Sequence, residues 1–256
     1  MPTPAAWPYP FWIAHRGAGR RAPENTLAAF REGAARGFRM FECDVKLSAD
    51  EVPFLLHDSE LERTSSGVGR AGDHPWSALS RLDAGAWHGP AWAGEPLPTL
   101  EAIARFVLAN GCAVNLEIKP TPGLESRTGE VVARAAAALW SGSGALPLPL
   151  LSSFSVAALE AAAAAAPVLP RALLLDELRA GWFEEADALG CVAVVTDYKL
   201  MDAAIVERLR AVGRRALVYT VNDVAAAQAL AAMGVAGIIT DEVDTFGPAS
   251  AQGGRT

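Results

Sequence analysis

The sequence predicts one (β/α)8 barrel (TIM barrel) of the α/β class, and three observations predict it. Eight apolar runs of strand length recur along 256 residues. Ala- and Leu-rich stretches of helical composition lie between most of them, and such alternation means a parallel sheet. Eight strand-helix units in about 250 residues match a closed barrel better than an open doubly wound sheet. No GxGxxG follows the first run, which counts against an open doubly wound sheet.

Taken in order, the runs are Phe11 to Ala14, Met40 to Val45, Val114 to Ile118, Pro149 to Ser152, Ala172 to Leu175, Val192 to Thr196, Ala216 to Thr220 and Gly237 to Thr240. Helical composition fills Thr26 to Ala35, Val131 to Trp140, Ala157 to Ala166, Ala203 to Ala211 and Val224 to Met233. One connection breaks the rhythm. Residues 59–98, rich in Gly, Trp and Pro, stand where a barrel places one helix, and an excursion of that length is usually functional or separately packed. Pro53 to Leu56 reads as a short extension of the second strand, so the excursion is expected to leave from the catalytic face and cover the site. The whole chain, 1–256, is expected to be one domain, with 249–256 a small, polar, flexible tail.

Composition narrows the function. A formal charge of -7 and an isoelectric point near 5.2 argue against a nucleic-acid partner. Cys43, Cys112 and Cys191 are widely spaced and odd in number, and read as core residues of a reducing compartment. The first eleven residues hold four prolines and no basic n-region, so no signal peptide is expected and the location is read as cytoplasmic. The uncharged run Ala135 to Leu159 is long enough to span a bilayer. Ser141-Gly142-Ser143-Gly144, Pro147 and Pro149 interrupt it, so it reads as helix, loop and buried strand.

Chemistry is expected at the C-terminal ends of barrel strands. His15-Arg16-Gly17 follows the first, Glu42-Cys43-Asp44 lies in the second, His57-Asp58 ends its extension, and Glu117-Ile118-Lys119 closes the third. Period two puts Glu42 and Asp44 on one face, and likewise Glu117 and Lys119. Three converging carboxylates repel one another unless a cation sits between them or some are protonated. Oxygen-only ligation suits Mg2+ or Ca2+. The plainer alternative is a polar layer of ion pairs such as Glu117 with Lys119 or Arg16. His15 and His57 flank the acids and suit general acid and base work, in either order. Arg16 and Lys119 have donors only and suit a phosphate oxygen. Phe154 and Tyr219, at the mouth, either line a substrate pocket or close the barrel top. Asn25 or Thr26 reads as a helix N-cap, Glu24 first as part of that helix start and second as a hold on a site residue, Asp241 as a terminal cap, and His74 and His88 as loop residues.

The ordered set resembles the bacterial glycerophosphodiester phosphodiesterase family. The resemblance runs through His15-Arg16-Gly17, Pro23-Glu24-Asn25-Thr26, Glu42-Cys43-Asp44-Val45, Leu56-His57-Asp58, Pro98-Thr99-Leu100-Glu101 and Asn115-Leu116-Glu117-Ile118-Lys119. It continues more weakly through Ser153-Phe154, Tyr219-Thr220-Val221-Asn222 and Ile239-Thr240-Asp241. It implies a barrel with a small inserted subdomain after the second strand, and a divalent cation on Glu42, Asp44 and Glu117. His15 and His57 are implied as acid and base, and Arg16 and Lys119 as the hold on the phosphoryl oxygens. Glycerophosphodiesters such as glycerophosphocholine or glycerophosphoethanolamine are the implied substrates, split to sn-glycerol 3-phosphate and an alcohol. In this family a glycerol hydroxyl attacks phosphorus to give a cyclic phosphate that water opens. Relatives often carry Trp where Tyr219 stands, in the wall of the glycerol pocket.

Two competing functions use the same residues. A phospholipase or sphingomyelinase-like phosphodiesterase acting on intact lipid needs an apolar membrane-facing rim, for which Trp76, Trp87 and Trp92 are the candidates. The acidic balance disfavours anionic membranes, and no stable membrane association is expected. A non-catalytic phosphodiester-binding barrel is expected to have lost a carboxylate or a histidine, and all five are present. The residues are compatible with Mg2+ and Ca2+ alike, with any alcohol group, and with monomer or dimer.

Overall fold

Eight parallel strands pair side to side and the last returns to the first, in a computed structural model that describes residues 7–247. They are β1 (Trp12–Ala14), β2 (Met40–Leu47), β4 (Ala113–Ile118), β5 (Leu150–Ser153), β6 (Arg171–Leu175), β7 (Ala193–Asp197), β8 (Arg215–Tyr219) and β9 (Gly237–Thr240). The sheet runs β1-β9-β8-β7-β6-β5-β4-β2, and β2 pairs with β1 through Ala14 and Phe41 to close the barrel. The tail expected at 249–256 lies outside the described residues.

Alternation sorts the side chains into two cores. Inward go Ile13, Met40, Leu150, Leu174, Val195, Leu217 and Ile239, with Tyr9 at their base through a hydrogen bond to the Leu148 carbonyl, 2.8 Å. Outward, Phe41, Val45, Leu116, Ile118 and Leu151 meet the helices α1 (Leu27–Ala35), α3 (Leu100–Ala109), α4 (Glu125–Leu139) and α5 (Val156–Ala165). A second outer cluster joins Leu173, Val194 and Val218 to α6 (Trp182–Ala188), α7 (Ala203–Ala211) and α8 (Val224–Met233). Each fully buried Leu or Phe contributes about 1.5–3 kcal/mol, so these layers hold the barrel closed. The cysteines are free and buried among them.

Side chains start the helices where strand ends must turn. Thr26, Thr99, Ser155, Asp202 and Asp223 each accept a hydrogen bond from a first-turn backbone N–H. Helices α3 and α6 have no counterpart in the reading by composition, and α4 starts six residues before it. Among the described residues no helix is long and apolar enough to cross a membrane. The uncharged run is the end of α4, a loop, β5 and the start of α5.

One strand corrects an expectation. Pro53–Leu55 forms β3, antiparallel to β2 rather than an extension of it. The chain turns through Ser48, whose hydroxyl accepts from Val52 N–H, and through Glu51 in the left-handed region at φ 62°. The return matters because Leu56 N–H donates to the Asp44 carbonyl at 3.1 Å, which delivers His57 beside the barrel mouth. The following excursion contains α2 (Trp76–Leu79) and has a small core of Phe54, Leu61, Leu79 and Leu97.

Candidate active site

At the mouth the backbone is set by glycine and by two strained turns. Arg16 and Asn25 both adopt positive φ, 50° and 59°, and Asn25 N–H donates to the Arg16 carbonyl at 2.9 Å. Gly17 has φ 101°, and a Cβ there would stand 2.7 Å from Ala29 Cβ and 3.0 Å from helix backbone. Glycine is therefore required after His15-Arg16 for β1 to meet α1. The turn aims Arg16 N–H at Glu42 Oε2, 3.1 Å away.

The carboxylates of Glu42, Asp44 and Glu117 come together, with one oxygen of each within 4.8 Å of the others, all buried. Burial pushes the Glu42 carboxyl well up, and the charges of Asp44 and Glu117 add to that. Burial and Asp44 push Glu117 up to about 7. Asp44 goes the other way: burial raises it, but Arg16, Lys119, His57 and the Asn25 amide together hold it low. Clustered oxygen donors that resist sharing negative charge fit a hard divalent cation. The ion-pair alternative is also visible, since Lys119 Nζ lies 2.7 Å from Glu117 and 3.5 Å from Asp44.

Both histidines are anchored on the far nitrogen. His15 Nδ1 is 2.6 Å from Asp241 Oδ1, and His57 Nδ1 is 2.7 Å from Asp58 Oδ1. Burial pushes the Asp241 carboxyl up, but hydrogen bonds from His15 and Asn222 outweigh that and hold it at about 2. Asp58 is also held at about 2, chiefly by its bond from Arg63. Ionised carboxylates only accept, so each Nδ1 donates and leaves Nε2 for the site. Burial, the largest effect, lowers His57 toward its neutral form.

Sequence reasoning missed the residues that hold the others. Asp241 is no terminal cap but the partner of His15, and Asn222 grips it with a side-chain donor at 2.9 Å and accepts its N–H at 2.9 Å. Asn25 is not the N-cap, which is Thr26; its amide clasps Asp44 through 2.8 and 3.1 Å bonds. Glu24 takes the second of its two expected readings and holds a site residue: it binds Arg16 at 2.7 Å and Arg63 at 2.8 Å. Lys46, fully buried one step beyond Asp44 on the same face, donates to the Lys119 carbonyl at 3.2 Å. His74 is the loop residue expected, beside the Val68 carbonyl.

Two hollows meet here. The inner one, about 170 Å³, is lined by His15, Glu42, His57, Glu117, Lys119 and Tyr219 among others. Phe154 and Tyr219 stand edge to face at its rim with ring centroids 6.0 Å apart, and Lys119 Nζ is 5.6 Å over the Phe154 ring. The outer one, about 490 Å³, shares His15 and Arg16 and is walled by Trp87 and His88 of the excursion. His88 is thus more than a loop residue, with Nε2 3.0 Å from the Arg20 carbonyl.

Fold and site together define a class: parallel barrels whose mouth gathers buried carboxylates, paired cations and two carboxylate-anchored imidazoles. The chain belongs to the glycerophosphoryl diester phosphodiesterase family, whose sequence profile matches residues 15–245. YhdW of Bacillus subtilis is 31% identical over 91% of this chain and 94% of its own length. Another Bacillus subtilis relative, named glycerophosphodiester phosphodiesterase, is 28% identical over 91% of this chain and 84% of its own. Among solved structures, an Oleispira antarctica phosphodiesterase in complex with the product sn-glycerol-3-phosphate superposes with a TM-score of 0.85 at 33% identity, covering 93% of this chain and 95% of that one. A glycerophosphodiester phosphodiesterase from Agrobacterium tumefaciens superposes at 0.76 with 28% identity, over 92% and 98%.

Proposed function

We propose that this protein hydrolyses glycerophosphodiesters such as glycerophosphocholine and glycerophosphoethanolamine to sn-glycerol 3-phosphate and the free alcohol. The observation that carries the reading is the pair of carboxylate-anchored histidines opening on one hollow with Arg16 and Lys119. The relative holding sn-glycerol-3-phosphate supports the product assignment. Glu42, Asp44 and Glu117 would hold Mg2+ or Ca2+, which supplies Lewis-acid polarisation of a phosphoryl oxygen. Arg16 and Lys119 neutralise the remaining charge of the diester. His57, kept neutral by burial, takes the proton of a glycerol hydroxyl as its oxygen bonds to phosphorus. His15, held by Asp241, gives a proton to the departing alcohol oxygen, and the ester bond breaks. Water then opens the cyclic phosphate with the two roles exchanged. Phe154 and Tyr219 close the rim over the substrate.

Acid-base groups contribute about 10²–10⁴ each. Resistant phosphodiesters need more, so the cation and the paired Arg16 and Lys119 carry the balance. The lipid-cleaving alternative loses its rim: Trp76 packs on Phe54 and Trp92 against the core, leaving Trp87 alone exposed of the three. Three free, buried thiols support a cytoplasmic location. The test is release of sn-glycerol 3-phosphate from glycerophosphocholine by metal-stripped protein, with Mg2+ or Ca2+ restored in parallel. Cation-dependent release is expected, and loss of at least 100-fold in His15→Ala and in His57→Ala. Absence of product with either cation and either substrate overturns the reading.

A further inference from the structure

In the wall of the inner hollow, level with Glu42, lies an amide that no group among the described residues satisfies. Asn115 lines the hollow, is 1% exposed, and neither Oδ1 nor Nδ2 has a hydrogen-bond partner. A buried amide normally finds partners, because leaving it unpaired is costly. Its neighbours are fixed by the sheet. Asn115 is in register with Glu42 on β2, and Ser152 is in register with Glu117 on β5, so Ser152 shares the inner face. The Ser152 hydroxyl is likewise buried without a partner. Other polar groups in the wall of the hollow are engaged: the histidines by carboxylates, Lys119 by Glu117, Tyr219 by the Leu175 carbonyl, and Arg16 by Glu24 through Nη1, although its Nε makes no hydrogen bond.

We propose that Asn115, assisted by Ser152, reads the glycerol hydroxyls of the substrate and so makes the site selective for a diol-bearing phosphodiester. This rests on the function proposed above and names what recognises one arm of its substrate. The unpaired groups select the ligand. A carboxamide and a hydroxyl each donate and accept, as an alcohol does, whereas a phosphodiester oxygen only accepts. Position agrees: Asn115 lines the same hollow as His57 and Lys119, beside Glu42, so the glycerol arm of a diester held there comes within its reach. A site built to bond a hydroxyl discriminates strongly against a ligand that lacks one, because its own buried groups are then left unpaired.

The test compares binding of sn-glycerol 3-phosphate with that of propyl phosphate, which has the same carbon chain and no hydroxyls, by calorimetry on the Mg2+- or Ca2+-loaded protein. In the wild type the first is expected to bind tighter by roughly 10- to 100-fold. Asn115→Leu is expected to cut that ratio at least tenfold by weakening sn-glycerol 3-phosphate while leaving propyl phosphate unchanged. Asn115→Ser, which restores one hydroxyl in less volume, is expected to fall between and guards against a folding defect in the first variant. An unchanged ratio in both variants, or equal weakening of both ligands, overturns the proposal and leaves Asn115 with a buried water only. Failure of the parent reading looks different: the wild type then keeps the binding ratio and the Asn115 effect but releases nothing from glycerophosphocholine.

Discussion

Asp241 makes no ion pair with Arg16 or Lys119, yet it decides which nitrogen of His15 carries a proton. Replacing it by Asn removes the acceptor-only partner and lets the ring take the wrong tautomer. We expect Asp241→Asn to lower kcat by about 10²–10⁴ with little change in KM, as for other imidazoles deprived of an orienting carboxylate. A purely structural role would instead lower the melting temperature and leave kcat in place. The same group predicts acid sensitivity. Its folded pKa of about 2 lies below the unfolded value of about 3.9. Its stabilising contribution is therefore complete above about pH 4 and is lost as pH falls through about 2. Acid unfolding followed by circular dichroism should be shallower in that window for Asp241→Asn, and a curve that superposes on the wild type would refute the linkage. The sequence displays the polar groups gathered at the mouth, because polar residues at the ends of apolar strands stand out. It hides their supports: the partner of His15 is 226 positions away, and Asn25 reaches Asp44 across 19. Asn115 hides for another reason, since one Asn inside an apolar strand carries no spacing signal and shows itself only by lacking a partner.

Elements are legible where local pattern suffices and obscure where the chain doubles back. Apolar runs mark all eight barrel strands because both faces of a parallel sheet are buried. Pro53–Leu55 carries the same composition, and only the turn at Ser48 to Glu51 reveals that it runs antiparallel and returns His57 to the mouth. The short α6, opening Trp-Phe-Glu-Glu, has too few turns for a helical period to show. Packing between elements is equally invisible in the sequence. Gly129 sits inside α4, where Ala would ordinarily gain up to about 1 kcal/mol in helix propensity. A Cβ there would lie 2.1 Å from the Ala158 carbonyl oxygen of α5, a backbone atom that cannot swing aside. Steric cost of this kind runs to about 1–3 kcal/mol or more, so it outweighs the propensity gain. Gly129→Ala is expected to lower the melting temperature by several degrees while kcat at 25 °C stays within about twofold. A melting temperature equal to or above the wild type would show that α4 and α5 can separate freely.

For the whole molecule the central question is what a barrel gains by burying three carboxylates at one end of its core. Without a cation the arrangement carries a cost, seen in the upward shifts of Glu42 and Glu117, and the apolar layers beneath it must offset that cost. A cation that binds the folded chain and not the unfolded one stabilises it by mass action, by about 2.7 kcal/mol at a hundredfold excess over Kd. For a domain of this size each 1 kcal/mol moves the melting temperature by roughly 2–4 °C. Saturating Mg2+ or Ca2+ should therefore raise the melting temperature by roughly 5–10 °C, and chelation should reverse it. Glu117→Gln keeps the shape, removes a charge that its neighbours oppose, and takes away a cation ligand. It is expected to match or exceed the metal-free wild type in stability and to lose most of the cation-induced gain. That opposite pair of effects separates a cation site from a layer of ion pairs: if Glu117 served chiefly as the partner of Lys119, the variant would be less stable with or without metal. Cation-independent melting of the wild type would likewise reject the metal site, and with it the reason for three acids at the mouth.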